Sequence, residues 1–116
     1  MTAQDTARPL LAPHRLDEVE GWFFDADRFL FGWLLTHQRA HGVRGDLLEL
    51  GVYKGKSAIL IGYHAADGER FTVCDLFDAD EAPDDSTATE MRVYHPTLTR
   101  QVFEADHLRF HHRLPS

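Results

Sequence analysis

The chain has 116 residues, 43% of them hydrophobic and 27% charged, which allows one small folded domain and argues against wholesale disorder. Its formal net charge of −7 excludes a non-specific nucleic-acid binder, and its longest apolar run, residues 29–35, is too short to cross a membrane. A single cysteine rules out an intramolecular disulfide and, with no secretory signal in residues 1–13, predicts a cytoplasmic protein.

The beginning of the chain predicts a flexible arm and a short helix. Residues 1–15 mix polar residues, proline and histidine without periodicity, so we expect a flexible N-terminal arm there. Residues 16–116 are assigned to one folded domain. A short helix, weakened by Gly21, is expected over residues 16–22.

A longer helix follows, with signals at both ends. Asp25 or Asp27 could cap its start through a side-chain oxygen, and Gly42 could end it in the left-handed conformation. Its apolar residues recur three or four positions apart and share one face with a histidine: Phe29, Leu30, Trp33, Leu34 and His37. Together with Trp22, Phe23 and Phe24 before the helix, this aromatic region is interpreted mainly as core or interface material, and some of its rings could instead cover a ligand pocket or face a partner subunit.

Residues 45–75 predict one strand–helix–strand unit. The apolar run Leu47–Leu50 lies between glycines, residues 57–64 open a helix directly after a glycine-bearing turn, and residues 71–75 are β-branched and aromatic. Because a helix connects the two strands, we expect them to pair in parallel. The end of the chain, residues 114–116, is expected to stop just before a third strand.

Acidic residues dominate the segment over residues 75–90. We interpret this segment as a solvated loop, and a mobile lid over a ligand pocket or a metal-attracting patch are the alternatives. A last helix is expected to have Thr97 as its cap and to end before Pro115. Its predicted buried stripe consists of Leu98, Val102, Ala105 and Leu108.

Histidine and cysteine residues raise the question of a metal or a nucleophile. His37 and His41, and likewise His107 and His111, are four positions apart and can share a helix face. A zinc site needs a third or fourth ligand, and neither pair has an obvious one, so we assign no metal and expect solvent-facing histidines. Cys74 lies inside a predicted strand, where we expect a buried, inert thiol.

The turn between the first strand and its helix, residues 49–57, carries the clearest functional signal. Glu49 lies near the end of the strand, two glycines follow, and the helix begins directly after them. Glycine lets the main chain approach a ligand, and the free N–H groups of a helix start attract a carboxylate or phosphate. Asp75 ends the neighbouring strand, and ligands of parallel sheets bind beyond the carboxyl ends of the strands.

Two familiar phosphate-binding motifs do not fit this turn. A P-loop needs four residues between its first glycine and Gly-Lys-Ser, whereas three residues separate Gly51 from Gly55. Glu49 would also bring negative charge close to a triphosphate. A dinucleotide-binding fingerprint needs a glycine where Tyr53 stands, so a pyrophosphate would meet a bulky side chain.

A third motif fits the spacing. The pattern Glu-x-Gly-x-Tyr-x-Gly-x-Ser is formed by Glu49, Gly51, Tyr53, Gly55 and Ser57. The turn resembles motif I of the class I S-adenosylmethionine-dependent methyltransferases, in particular the branch of catechol- and macrocin-type O-methyltransferases, and the likeness covers residues 45–77. The resemblance implies an α/β fold with a Rossmann-like parallel sheet and flanking helices, truncated here after about two of the family's seven strands.

The resemblance also implies a role for each residue of the motif. Asp75 would accept both ribose hydroxyls of the cofactor, Glu49 would face its cationic methionine portion, and Ser57 would hold its α-carboxylate at the helix start. The two glycines would let the main chain close around the cofactor, and Tyr53 would border its methionine part. Structural roles are the alternatives: Glu49 could pair with Lys54 or Lys56, Ser57 could cap the helix, and Asp75 could be one more loop acid.

We therefore expect the cofactor-binding half of a methyltransferase that transfers a methyl group from S-adenosylmethionine to a small-molecule acceptor, mainly to oxygen. The family's divalent metal and catalytic base lie on later strands, so neither is assigned to a residue of this chain. Exposed sheet edges would need a partner to cover them, and a homo-oligomer would provide one. The alternative is a non-catalytic α/β module that binds a nucleoside-like ligand or a partner chain.

Overall fold

A computed structural model describes residues 13–116, so most of the arm predicted over residues 1–15 lies outside the described residues. A short 3₁₀ helix, Pro13–Glu18, overlaps only the first three residues of the helix expected over residues 16–22, and the rest of that range is not helical. The regular elements are α1 (Asp25–Ala40), β1 (Leu47–Leu50), α2 (Lys56–His64), β2 (Phe71–Cys74), α3 (Asp85–Tyr94) and α4 (Arg100–Leu108). In this part of the chain no helix has the length and apolar character that crossing a membrane requires.

The sheet confirms the predicted strand–helix–strand unit. Strands β1 and β2 pair in parallel, with Leu47 opposite Phe71 and Leu50 opposite Cys74. The described residues therefore form an α/β fold with a two-stranded parallel sheet and flanking helices. On the other edge of β2, the N–H of Ser116 donates to the carbonyl of Phe71, and the carbonyl of Ser116 accepts from the N–H of Val73. Ser116 thus pairs with β2 in the manner of a strand residue, although the chain was expected to stop before a third strand.

Helix α1 begins and ends where the sequence signals predict, but its apolar face is not buried. Neither Asp25 nor Asp27 is the cap, because the N-cap residue is Phe24; the carboxylate of Asp27, three residues later, accepts a hydrogen bond from the N–H of Phe24 at 3.1 Å, and Gly42 follows the helix in the left-handed conformation. All of α1 is described, and none of its residues is buried. Phe29 is 71% exposed and Trp33 is 56% exposed. The core interpretation of this face is therefore wrong for these rings.

The core consists of two clusters that share helix α2. The first cluster packs α2 against the sheet and the C-terminal helices and contains Val52, Ala58, Ile61, Phe71, Phe77, Met91, Leu98 and Phe103. The second cluster packs the opposite side of α2 against the N-terminal segment and contains Leu16, Val19, Phe23 and Ile59. Because α2 is buried on both sides, truncating Ile59 to alanine would cost about 2–5 kcal/mol.

The acidic segment is not the continuous loop that its composition suggested. A short 3₁₀ helix, Ala79–Glu81, precedes α3. The side chain of Asp84 caps α3 by accepting a hydrogen bond from the N–H of Thr87 at 2.7 Å. Ala88 and Met91, three positions apart, are buried. The cap and this spacing were the available signals for α3, and the high acidic content obscured them.

Helix α4 is present, but its cap and its buried face differ from the prediction. Thr99 rather than Thr97 caps it, since the Thr99 hydroxyl accepts from the N–H of Val102 at 3.1 Å. Phe103 and His107 form the buried face. Of the four residues predicted to be buried, only Leu98 is buried, and it precedes the helix.

His107 is an internal histidine, contrary to the expectation that the histidines face solvent. It is 2% exposed, and its ring stacks on that of His111 with 4.7 Å between centroids. A ring nitrogen of His111 lies 2.9 Å from the carbonyl oxygen of Ile59 and donates to it. Burial, and then the nearby His111, lower the pKa of His107 to about 4. His37 and His41 are exposed, as expected.

We predict that His107 makes the fold sensitive to acid. An unfolded histidine has a pKa of about 6.5, so at pH values between that and about 4 only the unfolded chain binds this proton. The free energy of unfolding should be unaffected by this residue above about pH 6.5 and should fall by about 2 kcal/mol by about pH 5. Urea denaturation across this range should give a flatter profile for His107→Leu than for the wild type. Equal slopes in the two proteins would contradict the assignment, and His112→Leu, at an exposed position, is the control.

Candidate functional site

The turn from β1 to α2 depends on left-handed backbone at three positions. Gly51, Tyr53 and Gly55 have φ angles of +79°, +53° and +90°. Glycine adopts this conformation without penalty, whereas a tyrosine held there costs about 1–3 kcal/mol. The N–H of Gly51 continues the sheet by donating to the carbonyl of Cys74 at 2.8 Å. The strain at Tyr53 must therefore be offset by other contacts of the turn.

Asp75 supplies those contacts from the end of β2. One of its carboxylate oxygens, Oδ2, accepts hydrogen bonds from the N–H groups of Val52 and Tyr53 at 2.7 and 2.8 Å. The other oxygen, Oδ1, accepts from the N–H of Phe77 at 3.1 Å. Hydrogen bonds to a carboxylate are stronger than those between neutral groups. The structure thus places Asp75 at the turn, as the sequence predicts, and gives it a structural role there.

This arrangement limits what Asp75 could offer a ligand. A carboxylate oxygen accepts about two hydrogen bonds, so Oδ2 is fully used and Oδ1 has room for one more. The predicted pair of ribose hydroxyls would need one contact more than this geometry leaves. Asp75 can accept from one hydroxyl without releasing the turn.

Glu49 and Ser57 form the second polar contact of the turn. The Ser57 hydroxyl donates to Oε1 of Glu49. The other oxygen, Oε2, is buried and has no hydrogen-bond partner among the described residues. Burial raises the pKa of Glu49, the Ser57 hydrogen bond lowers it, and the negative charge of Asp75 raises it further, for a net increase. An acceptor oxygen that is buried without a donor is costly, and a ligand donor would remove that cost.

Glu49 does not pair with Lys54 or Lys56, and Ser57 does not cap α2, so the structure shows neither of the purely structural roles considered for these two residues. The amine of Lys54 lies 2.5 Å from Glu20, and that of Lys56 lies 3.5 Å from the carbonyl of Gly21. Ser57 does not cap α2, because the N-cap position is Gly55 and no described side chain makes a capping bond there. The first-turn N–H groups of α2 are therefore left for another acceptor.

The two glycines of the motif have different surroundings. A Cβ atom added at Gly55 would lie 2.6 Å from the ring of Phe103, so Gly55 is needed for close packing against α4. A Cβ atom added at Gly51 would meet no described atom within 4 Å. Gly51 borders open space at the end of β1, and it is the glycine whose main chain a ligand could approach.

Lys54 ties the turn to two distant segments. Its side chain is buried, and its amine donates to Glu20 at 2.5 Å and to the Thr97 hydroxyl at 2.8 Å. The hydrogen bond to Glu20 is the largest cause of the raised pKa of Lys54, which therefore stays charged. Glu20 precedes α1, and Thr97 lies between α3 and α4, so one cation connects three parts of the chain around the turn.

Three aromatic rings pack together beside the Lys54 amine. The Tyr53 ring packs against Trp22 and His95, with centroid distances of 5.2 and 5.5 Å. The Tyr53 hydroxyl also donates to Glu20 at 3.3 Å. The sequence places Tyr53 at the border of the site and allows Trp22, within its aromatic region, to cover a ligand pocket, but it gives no sign of His95 and Glu20 as neighbours. No local pattern links positions so far apart in the chain.

Among the described residues, the two other candidates for chemistry, a metal-binding cluster and Cys74, do not form part of this site. Within residues 13–116, no group of three or more His, Cys, Asp or Glu side chains is arranged to hold a metal ion. The acidic segment borders a cleft of about 310 Å³ lined in part by Asp78, Asp80 and His95, but Asp80 is paired with Arg92 at 3.0 Å. Cys74 is exposed at the end of β2 rather than buried, which corrects the sequence-based expectation.

No family model, curated protein or solved structure matches the chain. Its chemistry must therefore be inferred from its own geometry. The turn combines a buried carboxylate oxygen without a donor and a helix start without a side-chain cap. The first complements a cation and the second an anion. The arrangement suits a zwitterionic group such as the ammonium and carboxylate of an amino acid.

We predict that the two glycines respond differently to alanine. Gly55→Ala should lower the free energy of unfolding by about 2–4 kcal/mol, because left-handed strain adds to overpacking against Phe103. Gly51→Ala should cost about 1 kcal/mol, since it has the strain without the clash. Denaturant unfolding measures both values. The penalty at Gly55 should shrink in a Phe103→Leu background, and an unchanged penalty there would show that Phe103 is not its cause.

Proposed function

We propose that this chain binds S-adenosylmethionine at the turn between β1 and α2, on a Rossmann-like sheet, and contributes the cofactor-binding part of a cytoplasmic O-methyltransferase for small molecules. The observation that carries the proposal is the buried Oε2 atom of Glu49, which lacks a donor among the described residues, beside the uncapped start of α2. When bound, the cofactor would supply a methyl group for transfer to an acceptor oxygen. The likeness of residues 45–77 to motif I of the methyltransferases adds to this support.

The charges of the turn support a ligand with separate cationic and anionic ends. Ionised Glu49 would attract an ammonium or sulfonium group and accept a hydrogen bond from the former. The first-turn N–H groups of α2 would bind the α-carboxylate. Ser57 would act through Glu49, because its hydroxyl holds one carboxylate oxygen in place and leaves the other for the ligand.

Asp75 and Tyr53 have supporting roles in this proposal. Asp75 would accept one ribose hydroxyl through Oδ1 while Oδ2 keeps its two backbone hydrogen bonds. Tyr53, held by one of those bonds, would border the methionine portion. We assign no catalytic base, metal ligand or acceptor site to this chain, so the proposed role of these residues is to bind and orient the cofactor.

The binding prediction is tested by calorimetric titration with S-adenosylhomocysteine, which carries the same ribose and amino-acid groups. The wild type should bind, and Glu49→Gln should weaken binding about tenfold, because it removes the charge that faces the ammonium group. Glu90→Gln is the matched control, since Glu90 is exposed on α3. Absence of both heat and a thermal shift at millimolar ligand would refute cofactor binding by this chain.

Adenosine separates the methyltransferase proposal from a nucleoside-binding module. It lacks the amino-acid group, so it should bind the wild type more weakly than S-adenosylhomocysteine and should be insensitive to Glu49→Gln. Equal affinities for the two ligands, both unaffected by the substitution, would favour the module. Asp75→Ala is a poor probe, because it also removes the hydrogen bonds that hold Val52 and Tyr53.

We also predict that binding depends on pH through Glu49. Its raised pKa means that Glu49 takes up a proton at a higher pH than an ordinary glutamate, whereas a cationic ligand favours the ionised form. Binding should therefore release protons, and affinity for S-adenosylhomocysteine should fall as the pH is lowered from about 7 to about 5. Titrations in buffers of different ionisation enthalpy measure this release. Glu49→Gln should abolish it, and proton release that persists in this variant would assign the effect to another group.

A further inference from the structure

The exposed face of α1 has a ridge and a groove that run side by side. The ridge consists of Phe29, Trp33 and His37, each four residues after the last, and the rings of Trp33 and His37 stack 5.2 Å apart. The groove, with a volume of about 490 Å³, follows the adjacent row, which begins with Arg28 and continues with the small residues Gly32, Thr36 and Ala40. Rows with this spacing are the ridges and grooves through which helices pack together.

We propose that α1 packs antiparallel against α1 of a second copy of this chain, with the ridge of each helix in the groove of the other. A two-fold axis midway between positions 32 and 33 sets Trp33 against Gly32 of the second copy. The same axis sets Phe29 against Thr36 and His37 against Arg28 of the second copy. One surface then serves both partners, as a closed two-fold dimer requires.

The charges along α1 favour the antiparallel orientation. Asp25 and Asp27 lie in its first turn, whereas Arg39 lies in its last turn and Arg44 follows shortly after it. Antiparallel pairing brings the acidic start of each helix to the basic end of the other, and parallel pairing would join like charges. The helix dipoles also favour antiparallel pairing, because the positive N-terminal end of each helix then lies beside the negative C-terminal end of the other.

The exposed apolar area of α1 marks an interaction surface. Phe29, Leu30, Trp33 and Leu34 are each about half exposed or more and together leave on the order of 500 Å² of apolar side chain in contact with water. This value is near the upper limit for the largest patch on a monomer. Phe29 and Trp33 lie on the packed ridge. Leu30 and Leu34 lie on its far side from the groove and flank the contact, so the apolar area buried in each partner is smaller than the roughly 800 Å² typical of a stable complex.

The stability of α1 gives a further reason for a partner. A 16-residue helix is marginal in water and normally depends on packing of its apolar face. All of α1 is described, and none of its residues is fully buried, although Leu35 packs against the first core cluster. A second copy would cover the rings and supply the packing that the protomer leaves out.

The test is the oligomeric state of the purified chain, followed by sedimentation equilibrium over a range of concentrations. The wild type should form a dimer, and Gly32→Leu should weaken the dimer at least about tenfold by filling the groove. This substitution suits the protomer, because a Cβ atom at Gly32 meets no described atom within 4 Å and leucine favours a helix. Tyr94→Gln, at an exposed position on α3, is the matched control and should leave the dimer unchanged.

A second variant and a spectroscopic signal locate the interface. Asp25→Lys should also weaken the dimer, because it places a positive charge near Arg39 of the second copy. The chain has two tryptophans, so Trp22→Phe leaves Trp33 as the sole indole. Its emission should shift to shorter wavelength as the dimer forms. A monomer at every concentration, or a dimer in which Trp33 stays exposed to solvent and Gly32→Leu has no effect, would overturn the proposal.

Discussion

The carboxylate of Asp75 accepts hydrogen bonds from the backbone of Val52 and Tyr53 and thereby joins the end of β2 to the turn that follows β1. Without it, the left-handed conformation of Tyr53 would be an uncompensated strain of about 1–3 kcal/mol. The direction in which α2 leaves the sheet depends on that turn. Because α2 belongs to both core clusters, this one carboxylate determines how the N-terminal and C-terminal segments pack on the sheet.

The position of Asp75 at the turn also explains why two acidic side chains lie close together at the site. Two acidic residues, Glu49 and Asp75, are brought to the ends of adjacent strands, and the charge of Asp75 contributes to the raised pKa of Glu49. Asp75 is compensated by three backbone N–H groups, whereas Glu49 has one compensating hydroxyl. The uncompensated charge therefore lies at Glu49, and a cationic ligand would remove the cost of burying it. This asymmetry is why the ligand proposal depends on Glu49 more than on Asp75.

Elements that depend on local patterns could be predicted from the sequence. Both strands, α2 and the limits of α1 follow from short apolar runs, glycines and the aspartates of the first turn of α1, and the structure confirms these elements. Predictions failed where a distant partner decides the outcome. Thr97 is a plausible cap for α4, but its hydroxyl accepts from the buried amine of Lys54, and Thr99 caps the helix instead. The pairing of Lys54 with Glu20 has no local signal, because the partners are 34 positions apart.

Exposure was predicted less well than secondary structure, for a related reason. Periodicity shows that Phe29 and Trp33 share a face, but it does not show whether that face contacts the same chain or another one. For α4, the register depends on Gly55, whose missing Cβ admits the ring of Phe103 at van der Waals distance. Once Phe103 is inside, His107 must follow one turn later, because residues four apart share a face. The depressed pKa of His107 is thus a consequence of how closely the turn after β1 approaches α4, and acid stability and the candidate site depend on the same glycine.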